Sequence, residues 1–159
     1  MLLYSPQTVK DKKNRNIGPP PCMVYPCGFF NGASANNVGG VGYSLHLNES
    51  HSFEFVLGVG NGSNTNVELL GLWALLLTSH MMGIPLSQIF GDSSVIINWE
   101  KGSTALSPPD LFHWCRETWK LLTSFLDLSF SHIFREHNRI ADHLSKTTLT
   151  MALGYGCFS

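Results

Sequence analysis

Three acids and one amide stand where a fold could gather them. Asn31 follows the apolar run 23–30 and precedes Gly32. Glu68 lies in a long leucine-rich stretch, Asp92 comes directly after the short apolar run 86–90 and Gly91, and Asp142 sits near the chain's end. Oxygen-only side chains, without Cys or His among them, suit hard octahedral cations such as Mg²⁺ or Mn²⁺. Carboxylates clustered without a cation raise one another's pKa. A pair of dications about 3.5–4 Å apart removes that cost and clamps the attacking and leaving oxygens of a phosphodiester hydrolysis. Asn31 breaks the set, because an amide offers one neutral acceptor and carries donors on its nitrogen. Taken singly, each acid has a plainer explanation: a dipole-stabilising helix-start acid at Glu68, a turn residue at Asp92, a solvated helix residue at Asp142. Only their joint placement favours a metal site.

The elements that must position these four follow from hydrophobic period. Residues 23–30 form a buried strand, with Pro26 predicting a late start or a bulge, and 32–37 form a turn. Residues 40–47 and 53–59 alternate with period two around a turn at 48–50, which completes a three-stranded antiparallel meander. Asn64 or Thr65 caps a helix that runs to about residue 82, where Gly83 and Pro85 stop it. A strand over 86–90, a helix over 94–101, a helix over 110–126, a strand over 128–134 and a helix over 138–149 complete the chain. The order βββ-α-β-α-α-β-α is that of a mixed sheet with helices on its faces, an α/β domain. On this frame Asn31 ends the first strand, Glu68 lies in the first helical turn and Asp92 follows the fourth strand. Strands one and four are parallel neighbours, so a ligand site outside their ends is expected.

A length of 159 residues suits one domain, and 43% apolar content suffices for a core. Residues 1–21 are read as a flexible basic arm ending in prolines, 22–150 as the folded domain and 151–159 as a tail. Four of the ten basic residues lie in the arm, leaving 6 basic against 10 acidic residues and a net charge of −4 on the rest. A polyanion would therefore be held through metal ions or the arm rather than through a cationic face. Cys22, Cys27, Cys115 and Cys157 lack paired zinc spacing, so free thiols in a reducing compartment are expected. The leading apolar residues are too few for a signal segment, and 67–77 is too short for a bilayer. A nuclear or cytoplasmic monomer without membrane association is the expectation. His137, five residues before Asp142, could shuttle protons. Trp73, Trp114 and Trp119 fit core stripes, while Trp99, on the helix after Asp92, could meet a nucleic-acid strand.

Four blocks carry a resemblance to the ribonuclease H family, in its plant type found in non-LTR retrotransposons. They are Phe29-Phe30-Asn31-Gly32-Ala33-Ser34, Ser63-Asn64-Thr65-Asn66-Val67-Glu68, Gly91-Asp92-Ser93, and Arg135-Glu136-His137-Asn138-Arg139-Ile140-Ala141-Asp142-His143-Leu144-Ser145-Lys146. The last is the most specific, and the resemblance spans about residues 28–150. It implies a five-stranded mixed sheet of order 3-2-1-4-5 flanked by helices, two Mg²⁺ or Mn²⁺ ions, and hydrolysis of RNA in an RNA–DNA hybrid. By resemblance, Glu68, Asp92 and Asp142 are metal-binding catalytic carboxylates, Glu68 also contacts the RNA 2′-hydroxyl side, and Gly32, Asn64 and Ser93 meet the nucleic acid. Asn31 stands where the family has the aspartate that bridges both metals. Removing one unit charge about 4 Å from a cation forfeits roughly 4 kcal/mol at an effective dielectric of about 20, roughly a thousandfold in rate. Impaired turnover is expected, or a module derived from a retroelement that binds hybrid or RNA without cutting. An engineered change, drift in a retroelement copy and a natural binding domain are all compatible with this residue. Asn-Gly also has the least hindered succinimide route, so slow deamidation at Asn31 is expected.

Overall fold

The structure, a computed structural model, describes residues 18–60, 64–102, 111–150 and 155–158. Most of the expected arm, including Lys10 to Arg15, lies outside them. Strand β1, Cys27–Ala35, begins directly after Pro26, which has no N–H to give a ladder. It pairs antiparallel with β2, Val38–Asn48, which pairs with β3, His51–Gly60. After α1, Asn64–Met81, strand β4, Gln88–Gly91, returns parallel to β1. Helices α2, Ser94–Glu100, and α3, Phe112–Leu122, lead to β5, Ser129–His132, parallel to β4. A 3₁₀ turn, Arg135–His137, precedes α4, Arg139–Thr150.

The five expected strands take the expected order, and a sixth, β6, Tyr155–Phe158, adds antiparallel to β3. That strand lies inside the segment expected to be a tail. Four residues around a glycine carry too little period to announce it.

The first hairpin departs from the sequence expectation. The turn is Asn36-Asn37, with φ of 52° and 63°, rather than the whole of 32–37. A two-residue hairpin loop needs positive φ at both positions to match strand twist, and Asn tolerates it. Nothing in Gly32 to Ala35 forbids extended backbone, so β1 continues. Asn31 is therefore the fifth of nine strand residues and faces Gly42 across the ladder. It does not end the strand.

Period two divides the sheet into unequal faces. Phe30, Val41, Tyr43, Leu45 and Ile89 join α1, α2 and α3 in the main core. Helix α1 is apolar on most sides because it lies between the sheet and α3; Leu69, Leu70, Leu72, Leu75 and Leu76 are all buried. The opposite face carries a small core of Cys27, Phe29, Phe90, Ile133 and Ala141 under α4. Phe29 and Phe90 stack there at 4.8 Å, which adds about 0.5–1.5 kcal/mol beyond area burial. Trp99, expected to meet a nucleic-acid strand, belongs to the main core, and Trp119, expected in a core stripe, is 43% exposed and leans on it at 5.4 Å. No helix among the described residues is long and apolar enough to cross a membrane.

Candidate active site

Two glycines bring a helix down onto each face of the sheet beside Asn31. At Gly32, a Cβ would lie 2.6 Å from the Val67 carbonyl carbon and oxygen, so α1 packs backbone to backbone on β1. At Gly42, a Cβ would strike Leu144 and the Ser145 nitrogen, so α4 seats equally closely on β2. Glycine at both positions is a packing requirement. One approach delivers Glu68 to the sheet and the other delivers Asp142. Glu68 is the fifth residue of α1, past the expected first turn. Asp92 leaves β4 one position after Gly91, which pairs with Phe30, and so emerges beside Asn31.

Asn31, Glu68, Asp92 and Asp142 line one cleft of about 330 Å³. On the α1 side, Glu68 Oε1 accepts the Gly32 N–H at 2.8 Å, while Glu68 Oε2 and Asp92 Oδ2 are buried with no hydrogen-bond partner. Burial pushes the Glu68 carboxyl up to about 8; the Gly32 N–H and Arg135 oppose the rise, and Asp92 and Asp142 add to it. Asp92 is raised by burial first and by Asp142, against Arg135, Asn138 and His132. Arg135 is 70% exposed and its Nε stands 3.9 Å from Asp92 Oδ2, too far for a hydrogen bond.

The α4 side is closed within itself. Asn31 Nδ2 donates to Asp142 Oδ1 at 3.0 Å and to Ser145 Oγ at 3.3 Å. Ser145 Oγ donates to the Asp142 carbonyl at 2.8 Å, and Lys146 Nζ to Asp142 Oδ2 at 3.1 Å. Asn138 Nδ2 donates to the Phe30 carbonyl at 2.9 Å and anchors the start of α4 on β1. Leaving that carbonyl unpaired would cost about 1–3 kcal/mol.

Ser93 lines the cleft and caps α2, its hydroxyl accepting from the Ile96 N–H at 3.4 Å. Asn64 opens α1, and its side chain lies outside the described residues. His137 lines a separate, largely apolar cleft with Phe29, His46 and Ile140. An imidazole beside Asp92 is that of His132, whose Nε2 is 3.3 Å from the Asp92 carbonyl oxygen, in a neighbouring cleft with Arg135 and Glu136. Sequence reasoning gave no role to His132, Asn138, Ser145 or Lys146. The last three stand in the most specific motif, and that membership was the available signal. Deamidation at Asn31 meets two obstacles: the Gly32 nitrogen that would attack is tied to Glu68 on one face, and the amide is tied to α4 on the other.

Among the described residues, no three acidic, histidine or cysteine side chains close around a point tightly enough to hold an ion by themselves. The two carboxylate oxygens that accept no hydrogen bond nonetheless fit a hard dication, and Mg²⁺ takes one or two carboxylates with waters and substrate phosphate completing its shell.

A family model described as reverse transcriptase-like matches residues 44–148, which include all three acids and begin after Asn31. No match was found among curated protein sequences. Among solved structures, RNase H1 from the halophilic archaeon Halobacterium salinarum NRC-1 is 29% identical, with a TM-score of 0.74 over 79% of this chain and 98% of its own. LC11-RNase H1, solved in complex with an RNA/DNA hybrid, is 21% identical with a TM-score of 0.70, over 76% of this chain and 94% of its own. The N-terminal RNase H domain of a Mycobacterium tuberculosis protein is 22% identical with a TM-score of 0.69, over 76% of this chain and 97% of that one. At 21% and 22% identity, the last two speak to fold alone.

Proposed function

This chain belongs to the reverse transcriptase-like family and carries the ribonuclease H fold, and on that footing we propose that it engages RNA–DNA hybrids as a metal-dependent ribonuclease H whose turnover Asn31 suppresses. The plant retrotransposon kinship of its motifs is part of the same proposal. The observation that carries it is the pair of buried carboxylate oxygens that accept no hydrogen bond, Glu68 Oε2 and Asp92 Oδ2, in one cleft beside β1.

Glu68 and Asp92 would hold a divalent ion, with Asp142 completing the acids where a carboxylate stands at position 31. Such an ion supplies Lewis-acid charge to a phosphodiester and makes a water nucleophilic near neutral pH. The chain's own groups do the rest. The Gly32 N–H fixes the Glu68 carboxylate so that one oxygen faces the cleft. Arg135 and Lys146, both largely exposed at the cleft, are available to backbone phosphates. His132 stands at the Asp92 rim, its Nε2–H donating to the Asp92 carbonyl.

The test is a side-by-side assay of end-labelled RNA in a hybrid, with Mg²⁺ or Mn²⁺, using this chain and Asn31→Asp. Asn31→Asp should cleave about a thousandfold faster; no product from that variant would overturn the ribonuclease reading. The Asn31–Asp142 hydrogen bond favours a second reading, a module that holds hybrid without cutting. It requires salt-dependent affinity without turnover, and a flat binding curve at low salt would remove it.

A further inference from the structure

Asp142 differs from Glu68 and Asp92 in having both carboxylate oxygens engaged by nitrogen donors, Asn31 Nδ2 at 3.0 Å and Lys146 Nζ at 3.1 Å. The orientation of the Asn31 amide is dictated by chemistry. Ser145 Oγ commits its proton to the Asp142 carbonyl, so towards Asn31 it can only accept. Turned over, the amide would set its oxygen against a carboxylate oxygen and an already committed hydroxyl. Asn31 is 4% exposed, so an Asp142 that swung to an ion would leave a buried N–H without its acceptor. A carboxylate at position 31 has no such donor and would press Asp142 towards a cation instead.

The α1 side is the reverse. Glu68 is 9% exposed, its Oε1 is fixed by Gly32, and its Oε2 faces the cleft without a hydrogen bond; Asp92 Oδ2 likewise accepts none and has only the exposed Arg135 Nε at 3.9 Å. Resting on the ribonuclease H reading above, we propose that this chain takes a single divalent cation, on Glu68 and Asp92, and that Asn31 and Lys146 hold Asp142 out of its coordination. Two carboxylates with waters suffice for one Mg²⁺. The amide then acts by occupying a ligand as well as by removing a charge.

The experiment is a Mg²⁺ titration of the unaltered chain without nucleic acid, followed by side-chain carboxyl ¹³C resonances, with Mn²⁺ per chain counted by electron paramagnetic resonance. The Glu68 and Asp92 carboxyl resonances should move along one isotherm while that of Asp142 stays, with one Mn²⁺ per chain. In Asn31→Asp, the Asp142 resonance should join them and the count should rise to two. Asp142 moving in step in the unaltered chain, a count of two there, or no movement at any of the three would overturn the inference. Should Asn31→Asp fail to fold, the unaltered chain decides alone. Hybrid cleavage is read separately: cleavage by Asn31→Asp beside a moving Asp142 in the unaltered chain sinks only this inference, and no cleavage beside one bound ion sinks only the ribonuclease reading.

Discussion

The two walls of one cleft solve the same electrostatic problem in opposite ways. On the α4 wall, Asp142 is neutralised from within, by an amide N–H from β1 and an ammonium one turn along its own helix. Across from it, Glu68 on α1 and Asp92 after β4 each keep one buried oxygen that accepts no hydrogen bond, Asp92 Oδ2 having only the exposed Arg135 Nε at 3.9 Å, and both are pushed towards the protonated form. A satisfied carboxylate stabilises the fold and has little left to offer a ligand. A bare one costs the fold stability and is what a cation would relieve. The proposed cation site therefore falls on the residues that are worse for folding.

The sharpest way to break the contrast is Asn31→Asp. It removes the internal donor from the closed wall, and hybrid cleavage in Mg²⁺ should rise about a thousandfold in an end-labelled assay.

Next comes Glu68→Gln. The folded protein keeps the Glu68 proton up to about pH 8, whereas the ordinary carboxylate loses it near 4.5. In metal-free protein this group's effect is smallest below about pH 4.5, and stability falls as pH rises towards 8. Glu68→Gln should flatten that fall and stabilise the metal-free protein at pH 8 by on the order of a few kcal/mol. Denaturant melts across pH check this, and an unchanged slope would remove the open wall's burden from Glu68. The same variant should lose the stabilisation that Mg²⁺ gives the unaltered chain.

Gly42→Ala should follow, at about 1–3 kcal/mol of destabilisation by thermal melting, because it lifts α4 from β2 and draws Asp142 away from Asn31. The smallest effect belongs to Lys146→Met. Its ammonium is 56% exposed and pairs along the helix, so the loss should stay under about 1 kcal/mol. A larger loss would mean that the closed wall depends on its ion pair more than on the amide.

Much of this was legible along the chain. An apolar run marked the first strand, period-two alternation the second and third, and a long apolar stretch α1, while the spacing of the four blocks carried the family and the sheet order. What went unread had local physical reasons. Asn36-Asn37 outcompeted Gly32 for the hairpin turn because two consecutive asparagines accept positive φ while a glycine can remain extended. Strand β6 is too short to show a period. Trp99 and Trp119 could not be told apart by spacing, since both lie on helices and only the packing of α2 and α3 buries one of them.

The sequence by itself determined which chemical groups the site contains, because residue type fixes charge and donor count, and Asn31 is an amide whatever surrounds it. Only the tertiary structure decided which acid that amide faces. Gly32 and Gly42 seat a helix on each side of β1, and strand alternation sends Asn31 towards α4. Its N–H therefore meets Asp142 and Ser145, while Glu68 and Asp92 keep open oxygens. That pairing joins residues 111 positions apart in the chain, and spacing along the chain alone does not specify it.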